Sequence, residues 1–489
     1  MLVFSVVAAR SVPRSGGSTP ASAKVDPNAA QTIVGFGASG AWWPQDLVRF
    51  SSSAQQHVAS LLFSPTSGIG LSIYRYNVGA GGRVKVPSRY TQTFLAKPGQ
   101  YDWSRDRGGV TFLRYAQQAG VPTLVAFANS APWLWKTNNA GCGGALKPGH
   151  SIDYAGYLAD VVQHLHDAEG ISLNFVSPMN EPDESFTECY QEGMFVPIWQ
   201  RVPIMDAVSD ALAQKAPYAR VIGDESGHLA SQFLKAVPKW LNTDTAARLG
   251  ALVHHGYDYP NWITLQKAAA VAAQYKVPLW MSEVCCYDGH GFGPGYDPTM
   301  GSGMWLARTI FKDLTFARDA AFTWWTALSP ALGCAPASSS SCAHSPNPRG
   351  WDDGLLYYDS SYASSRNQRI YPTKRFWVLG NFSRYVRPGA VVHAVSGLPK
   401  WMQAIAFRDG DGAWSVVVIN SGRPGSWSTT ARIRLPSGAM SSVQSVHAYE
   451  TSAGRDLQEV GAPMLDRSRD SFTVATPPQS VTTITLGSR

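Results

Sequence analysis

The sequence predicts an α/β protein: a (β/α)₈ barrel of the TIM type with a C-terminal antiparallel β-sandwich as a side domain. Three observations lead there. Short apolar runs alternate with helically spaced segments through the first two thirds of the chain, the signature of a parallel sheet covered by helices. After Pro372 the pattern changes to alternating runs broken by Gly, Asp, Pro and Ser, which reads as a sandwich. Polar side chains collect at the carboxyl ends of the early runs, where a barrel of this kind carries its chemistry.

At 489 residues the chain is long for one hydrophobic core and suits one large domain with a smaller one. The boundaries read as 1–31 for a leader- or linker-like segment, 32–375 for the barrel and 376–489 for the sandwich. A hydrophobic share of 44% against 15% charged is that of an ordinary folded protein, which excludes disorder for the bulk. The net charge of +7 comes from scattered Lys and Arg without a basic run, so it is read mainly as solubility, with a polyanionic glycan as the lesser reading, and no nucleic-acid partner is expected.

The N-terminal segment has the look of a processing signal. Leu2 to Ala9 is apolar, and a Ser/Pro/Gly-rich stretch ends at Ala21-Ser22-Ala23, an A-x-A pattern. The early positive charge of such signals is missing, and Arg10 and Arg14 stand between the apolar run and the A-x-A site. No other run approaches the ~20 apolar residues of a membrane span, so no membrane partner is expected. The expectation is a secreted, monomeric protein. Six cysteines, an even number, suit export with disulfides. Cys334 and Cys342 flank a Ser-rich loop and are the expected pair; Cys285 and Cys286 are free to find different partners.

The expected barrel strands, in order, are Ile33–Gly37, Gly70–Arg75, Pro122–Ala128, Leu173–Val176, Arg220–Asp224, Ala251–Tyr257, Pro278–Glu283 and Ala321–Ala327. Helical spacing fills the gaps, as over Ile152–Ala168 and Met304–Ala317. In the sandwich, Gln403–Phe407, Trp414–Ile419 and Ala431–Leu435 read as strands. Its turns bring together no acid, His or Cys cluster, which gives it a structural role.

The strand ends form a ring: Arg75 with Asn77, Asn129, Asn180 with Glu181, Asp224 with Glu225, His255 with Tyr257, Glu283 and Trp324. Two glutamates on opposite strands, four and seven, are what glycoside hydrolysis requires. With carboxyls ~5–5.5 Å apart, one attacks the sugar and the other supplies and removes the proton, giving retention. Glu283 is assigned as nucleophile, kept ionised by Arg75 and Tyr257 as donors. Glu181 is assigned as acid/base, its pKa raised by the neighbouring carboxylate and partial burial. Asn180 would donate to the sugar 2-hydroxyl. Trp42, Trp43, Trp133, Trp135 and Trp324 are candidates for stacking on sugar rings against a core-packing alternative; Trp133 and Trp324, at strand ends, come first. Glu225 is a secondary candidate for a sugar hydroxyl, with a salt bridge as its alternative.

Other signals carry less. Gly35-Phe-Gly-Ala-Ser-Gly40 matches G-x-G-x-x-G, but Trp42-Trp43-Pro44 follows where a dinucleotide fold opens a helix. Gly79-Ala-Gly-Gly82 lacks the Lys of a phosphate loop. Of His254 and His255 only one can face the barrel mouth, since strand neighbours alternate. No metal or cofactor is expected.

The motifs Gly35-Phe-Gly-Ala-Ser-Gly-Ala-Trp-Trp43, Leu71-Ser-Ile-Tyr-Arg-Tyr-Asn-Val-Gly79, Asn129-Ser-Ala-Pro-Trp-Leu134, Met179-Asn-Glu-Pro182, Gln191-Glu-Gly193, His255-Gly-Tyr257 and Met281-Ser-Glu283 run in a fixed order. In that order the chain resembles glycoside hydrolase family 30, over nearly everything after about Thr32. The resemblance implies a retaining barrel with acid/base at Glu181 and nucleophile at Glu283. It also implies a sandwich completed by a strand from the segment before residue 33. The Gly-Ala-Trp-Trp opening and the Gln-Glu-Gly loop resemble the branch acting on β-1,6-linked galactan, such as arabinogalactan side chains. Met194 and Leu134 depart from that pattern, where Cys and Met are expected. The alternatives are β-1,6-glucan, β-xylan or a β-glucoside as substrate, or a catalytically inactive carbohydrate-binding barrel.

Overall fold

The computed structural model describes residues 20–487. The apolar run Leu2–Ala9 lies outside the described residues.

Eight parallel strands close a barrel. Strand one is Gly35–Gly40, two Ile73–Asn77, three Thr123–Phe127 and four Phe175–Ser177. Strand five is Arg220–Ser226, six Ala251–His255, seven Leu279–Glu283 and eight Ala321–Trp324. Every expected strand is present, displaced by a few residues at its ends. Strand one starts late: the Ile33 amide bonds to Ala390 O outside the barrel, and the Val34 amide bonds to Ala320 O, the residue just ahead of strand eight. Strand eight stops at Trp324, and Thr326–Ser329 joins a small separate sheet with Gly354–Tyr358 and Ile370–Pro372. Strands one and two approach closely because Gly37 has no side chain: a Cβ there would stand 2.6 Å from Ile73.

Both faces of each strand are buried, so alternation sorts apolar residues between two cores rather than between core and water. Ile73, Val125, Ile222, Val253 and Trp280 fill the barrel interior, where Trp280 meets Phe175 edge-on with centroids 4.9 Å apart. Tyr74, Leu124, Val176, Leu252, Met281 and Phe322 point outward against the helices. The expected helix over Ile152–Ala168 is found at Ser151–Glu169. Met300–Lys312 is α-helical and continues into a π-helical turn over Asp313–Ala317, where the periodicity predicted one unbroken helix.

The side domain is a curled sheet of ten strands with its own core, which includes Trp414, Val416, Ile433, Phe472 and Ile484. Its expected strands appear at Met402–Arg408, Trp414–Asn420 and Thr429–Arg434. Ala21–Val25 inserts between Val391–Ser396 and Thr429–Arg434. The Ala21-Ser22-Ala23 pattern is thus part of an internal strand, and cutting after Ala23 would break it. Helix Lys374–Ser383 carries the chain from barrel to sandwich. Asn381 on it donates to Tyr449 O at 3.1 Å and Thr483 Oγ1 at 3.0 Å, which ties the two domains.

Cys334 pairs with Cys342. Cys142 pairs with Cys189, joining the loops after strands three and four. That leaves Cys285 and Cys286 to each other: they form a disulfide between chain neighbours and not two separate bridges.

Candidate active site

The carboxyl ends of the strands bring the two glutamates together. Glu283 is the last residue of strand seven. Glu181 lies just beyond strand four on a left-handed turn (φ 45°), its amide donating to Glu225 O at 2.9 Å. Gly227 makes room for it, since a Cβ there would stand 2.9 Å from Glu181 Oε1. One oxygen of Glu181, one of Glu283 and a ring nitrogen of His255 all lie within 4.8 Å of one another. Glu181 keeps 16% of its side chain exposed against 4% for Glu283, so the former is the one that a leaving group or water can reach.

Beneath this pair lies a buried charged layer. The Arg75 guanidinium pairs with Glu283, donates to Asn180 Oδ1 at 2.7 Å and stands 3.2 Å from Glu225 Oε2. It also packs 3.6 Å from the Phe127 ring centroid. The Tyr257 hydroxyl donates to Glu283 Oε1 at 2.8 Å. His255 Nε2 contacts Glu225 Oε2 at 2.8 Å, and its Nδ1 faces Glu181 and Glu283 at 3.4 and 3.6 Å. Ser282 donates to Glu225 Oε2 at 2.6 Å. His254, its chain neighbour, points away from the mouth toward Asp319 at 3.3 Å, as alternation requires.

The charges are coupled. Burial acts to lower the His255 pKa, but the carboxylates of Glu283, Glu181 and Glu225 outweigh it and hold the imidazole at about 10. Burial acts to raise Glu225, and Arg75 with His255 outweighs that, bringing it down to about 2. Burial raises Glu283, and the pull of His255 and Arg75 only partly offsets it. Three carboxyls thus share the Arg75 guanidinium and the His255 imidazole.

Above the layer is a cleft of about 740 Å³. Its walls include Trp42, Phe186, Tyr257, Phe292, Trp325 and Trp351. Among the residues expected to bind substrate, Asn180 and Tyr257 line it together with both glutamates. Arg75, Glu225 and His255 lie under the floor, 2% exposed or less, and touch the glutamates rather than the cleft. For Glu225 the salt-bridge alternative is the one found. Asn129 is buried and donates to Asn77 Oδ1 at 3.0 Å. Trp133 sits in the short turn Trp133–Trp135 against Gly81 and Gly82, outside the cleft lining. Trp324 is fully buried and donates from Nε1 to Asp353 O at 2.7 Å. It faces outward like Phe322, two residues earlier on strand eight, and the next residue, Trp325, takes the cleft position.

Glu192 was not foreseen. It is completely buried and accepts from Trp42 Nε1 at 3.2 Å, Asn77 Nδ2 at 3.0 Å and the amides of Ala80 and Thr91 at 3.1 Å. It thereby fixes Trp42, which meets Trp325 edge-on at 5.3 Å. Its position inside Gln191-Glu-Gly193 was the available signal.

Comparison with known proteins agrees with this geometry. The profile of O-glycosyl hydrolase family 30 matches residues 21–332. An endo-β-1,6-galactanase of Hypocrea rufa is 23% identical over 428 residues, covering 80% of this chain and 79% of that protein. Among solved structures, the catalytic domain of a GH30 xylanase C from Talaromyces cellulolyticus superposes with a TM-score of 0.72 at 22% identity, covering 95% of this chain and all of that one. An endo-β-1,6-glucanase superposes with a TM-score of 0.71 at 16% identity, covering 96% and 95%.

Proposed function

Since the chain belongs to O-glycosyl hydrolase family 30 and is an O-glycosyl hydrolase, we propose that it cleaves β-1,6-linked galactan with retention, using Glu283 and Glu181. The observation that carries the mechanism is the meeting of these two carboxyls, with oxygens within 4.8 Å across the barrel mouth. That spacing suits a covalent glycosyl intermediate and leaves no room for an inverting water between them.

Glu283 attacks the anomeric carbon while Glu181, the more exposed of the two, protonates the departing glycosidic oxygen. Water enters from the same side, gives its proton to Glu181, and releases the sugar from Glu283. Arg75 and Tyr257 hold the nucleophile's two oxygens in place. Asn180 Oδ1 is taken by Arg75, which leaves Nδ2 for the sugar 2-hydroxyl.

The substrate reading is supported by the galactanase relative and by the motifs at strand one and after strand four. The glucanase and xylanase likenesses, being structural and below 25% identity, speak for the fold and keep β-1,6-glucan and xylan in the test. Three disulfides fit a protein working outside the cell, which we propose as its location. Product profiling on β-1,6-galactan, β-1,6-glucan and xylan decides the substrate; turnover of the glucan alone sinks the galactan reading. Proton NMR of the first-formed anomer decides the stereochemistry.

A further inference from the structure

Two residues beyond Glu283, Cys285 and Cys286 are joined to each other. Both line the cleft, set as deeply as the nucleophile: they are 1% and 3% exposed against 3% for Glu283. Cys285 Sγ stands 4.0 Å from the Tyr257 hydroxyl, the group that donates to Glu283 Oε1. The sulfurs therefore border the space that a sugar bonded to Glu283 must occupy.

Stabilisation of the fold does not account for this bridge. A disulfide gains most of its effect by closing a loop in the unfolded chain, and one between neighbours closes none. The conformation it sits in is also costly: Cys286 adopts φ +65°, which a side chain with a Cβ disfavours. The surroundings hold it there. Tyr259 donates its hydroxyl to Cys285 O at 2.8 Å, and the Gly293 amide donates to Cys286 O at 3.0 Å. The Trp325 amide donates to Val284 O at 3.0 Å. What results is a pair of adjacent, polarizable sulfurs without a hydrogen to donate, a surface suited to C–H groups.

Resting on the hydrolase reading above, we propose that the Cys285–Cys286 disulfide is a substrate-binding element: an apolar plate in the cleft floor that packs against the C–H face of the sugar held at Glu283. It complements the aromatic walls with a flat contact on the nucleophile's side, where an indole would fill the space the anomeric carbon needs. Opening the bridge replaces the plate with two mobile thiols and weakens binding.

The test uses the full chain carrying Glu283→Gln, so that glycan is bound without turnover. The dissociation constant for a β-1,6-galactotetraose is measured by calorimetry with the disulfide intact and with Cys285→Ala plus Cys286→Ala. About 10-fold weaker binding is expected in the double variant, with little change in melting temperature. Equal affinity overturns the proposal. Should the double variant not fold, the intact Glu283→Gln protein is reduced with a phosphine and alkylated, with and without the tetraose. Mass spectrometry should show bound sugar slowing modification of Cys285 and Cys286 while Cys334 and Cys342 react as before; no selective protection overturns the proposal. Failure of the substrate reading shows itself separately, as binding of β-1,6-gluco- or xylo-oligosaccharide in place of the galactan, and the same paired comparison is then made on that ligand.

Discussion

The Tyr257 hydroxyl donates to Glu283 Oε1 at 2.8 Å from the end of strand six, so the proposed nucleophile is held by a neutral donor as well as by the Arg75 cation. A donor to the carboxylate favours its ionised form and lowers its pKa. Tyr257→Phe should reduce kcat/KM by about 10²-fold, the scale of losing one aligned donor. The acidic limb of the pH–rate profile, which reports ionisation of Glu283, should move to higher pH. An unmoved limb would separate Tyr257 from the nucleophile.

Azide distinguishes the two glutamates. Glu283→Ala should lose nearly all activity, and azide should restore turnover by attacking the face that the carboxylate vacated, giving the α-glycosyl azide. Glu181→Ala should still form the covalent intermediate from substrates with good leaving groups, and azide should then yield the β-glycosyl azide. Identification of each azide by NMR checks the assignment; the same anomer from both variants contradicts it.

The Glu225–His255 contact predicts a pH window for stability. Glu225, held at about 2 against an ordinary 4.5, contributes stability that is present above 4.5 and lost as pH falls through 2. His255, held at about 10 against 6.5, contributes stability that is complete below 6.5 and lost as pH rises through 10. Both contributions are complete between 4.5 and 6.5. Glu225→Gln, which takes one buried carboxylate from Arg75 and His255 and leaves them Glu283 and Glu181, should destabilise by about 1.5–3 kcal/mol. Denaturant titrations across this range should show the variant's pH dependence flattened on the acid side.

Neighbouring tryptophans on strand eight should behave oppositely. Trp324→Ala removes a fully buried side chain and should cost about 3–5 kcal/mol of stability. Trp325→Ala truncates a half-buried cleft residue and should raise KM several-fold with a much smaller change in melting temperature. Kinetics and thermal melts on the pair check the facing; a KM effect from Trp324 alone would reverse it.

The barrel was legible because strands buried on both faces leave continuous apolar runs, and the two glutamates because each closes such a run. Which side of a strand end faces the cleft was less so. Trp324 and Trp325 differ by one residue, and nothing local marks which of them turns inward. Arg75, Glu225 and His255 were visible as a polar ring, but their depth below the floor depends on how the barrel packs. Glu192 serves partners 101 to 150 residues away, so its role exists only once the loop after strand four folds back. The pairing of Cys285 with Cys286 is a matter of connectivity, which residue order leaves open.

The strand Ala21–Val25 has a consequence for how the chain is made. Its neighbour strand begins at Val391, and Asp26 O meets His393 across 367 residues of sequence. At ribosomal speeds of about 5–20 residues per second, the strand waits roughly 20–70 s for that partner. The barrel can close in the interval, since its eight strands are complete by Trp324. The sandwich is therefore the last unit assembled, and a nascent chain paused before Val391 exposes an unpaired edge that a chaperone or another chain could occupy.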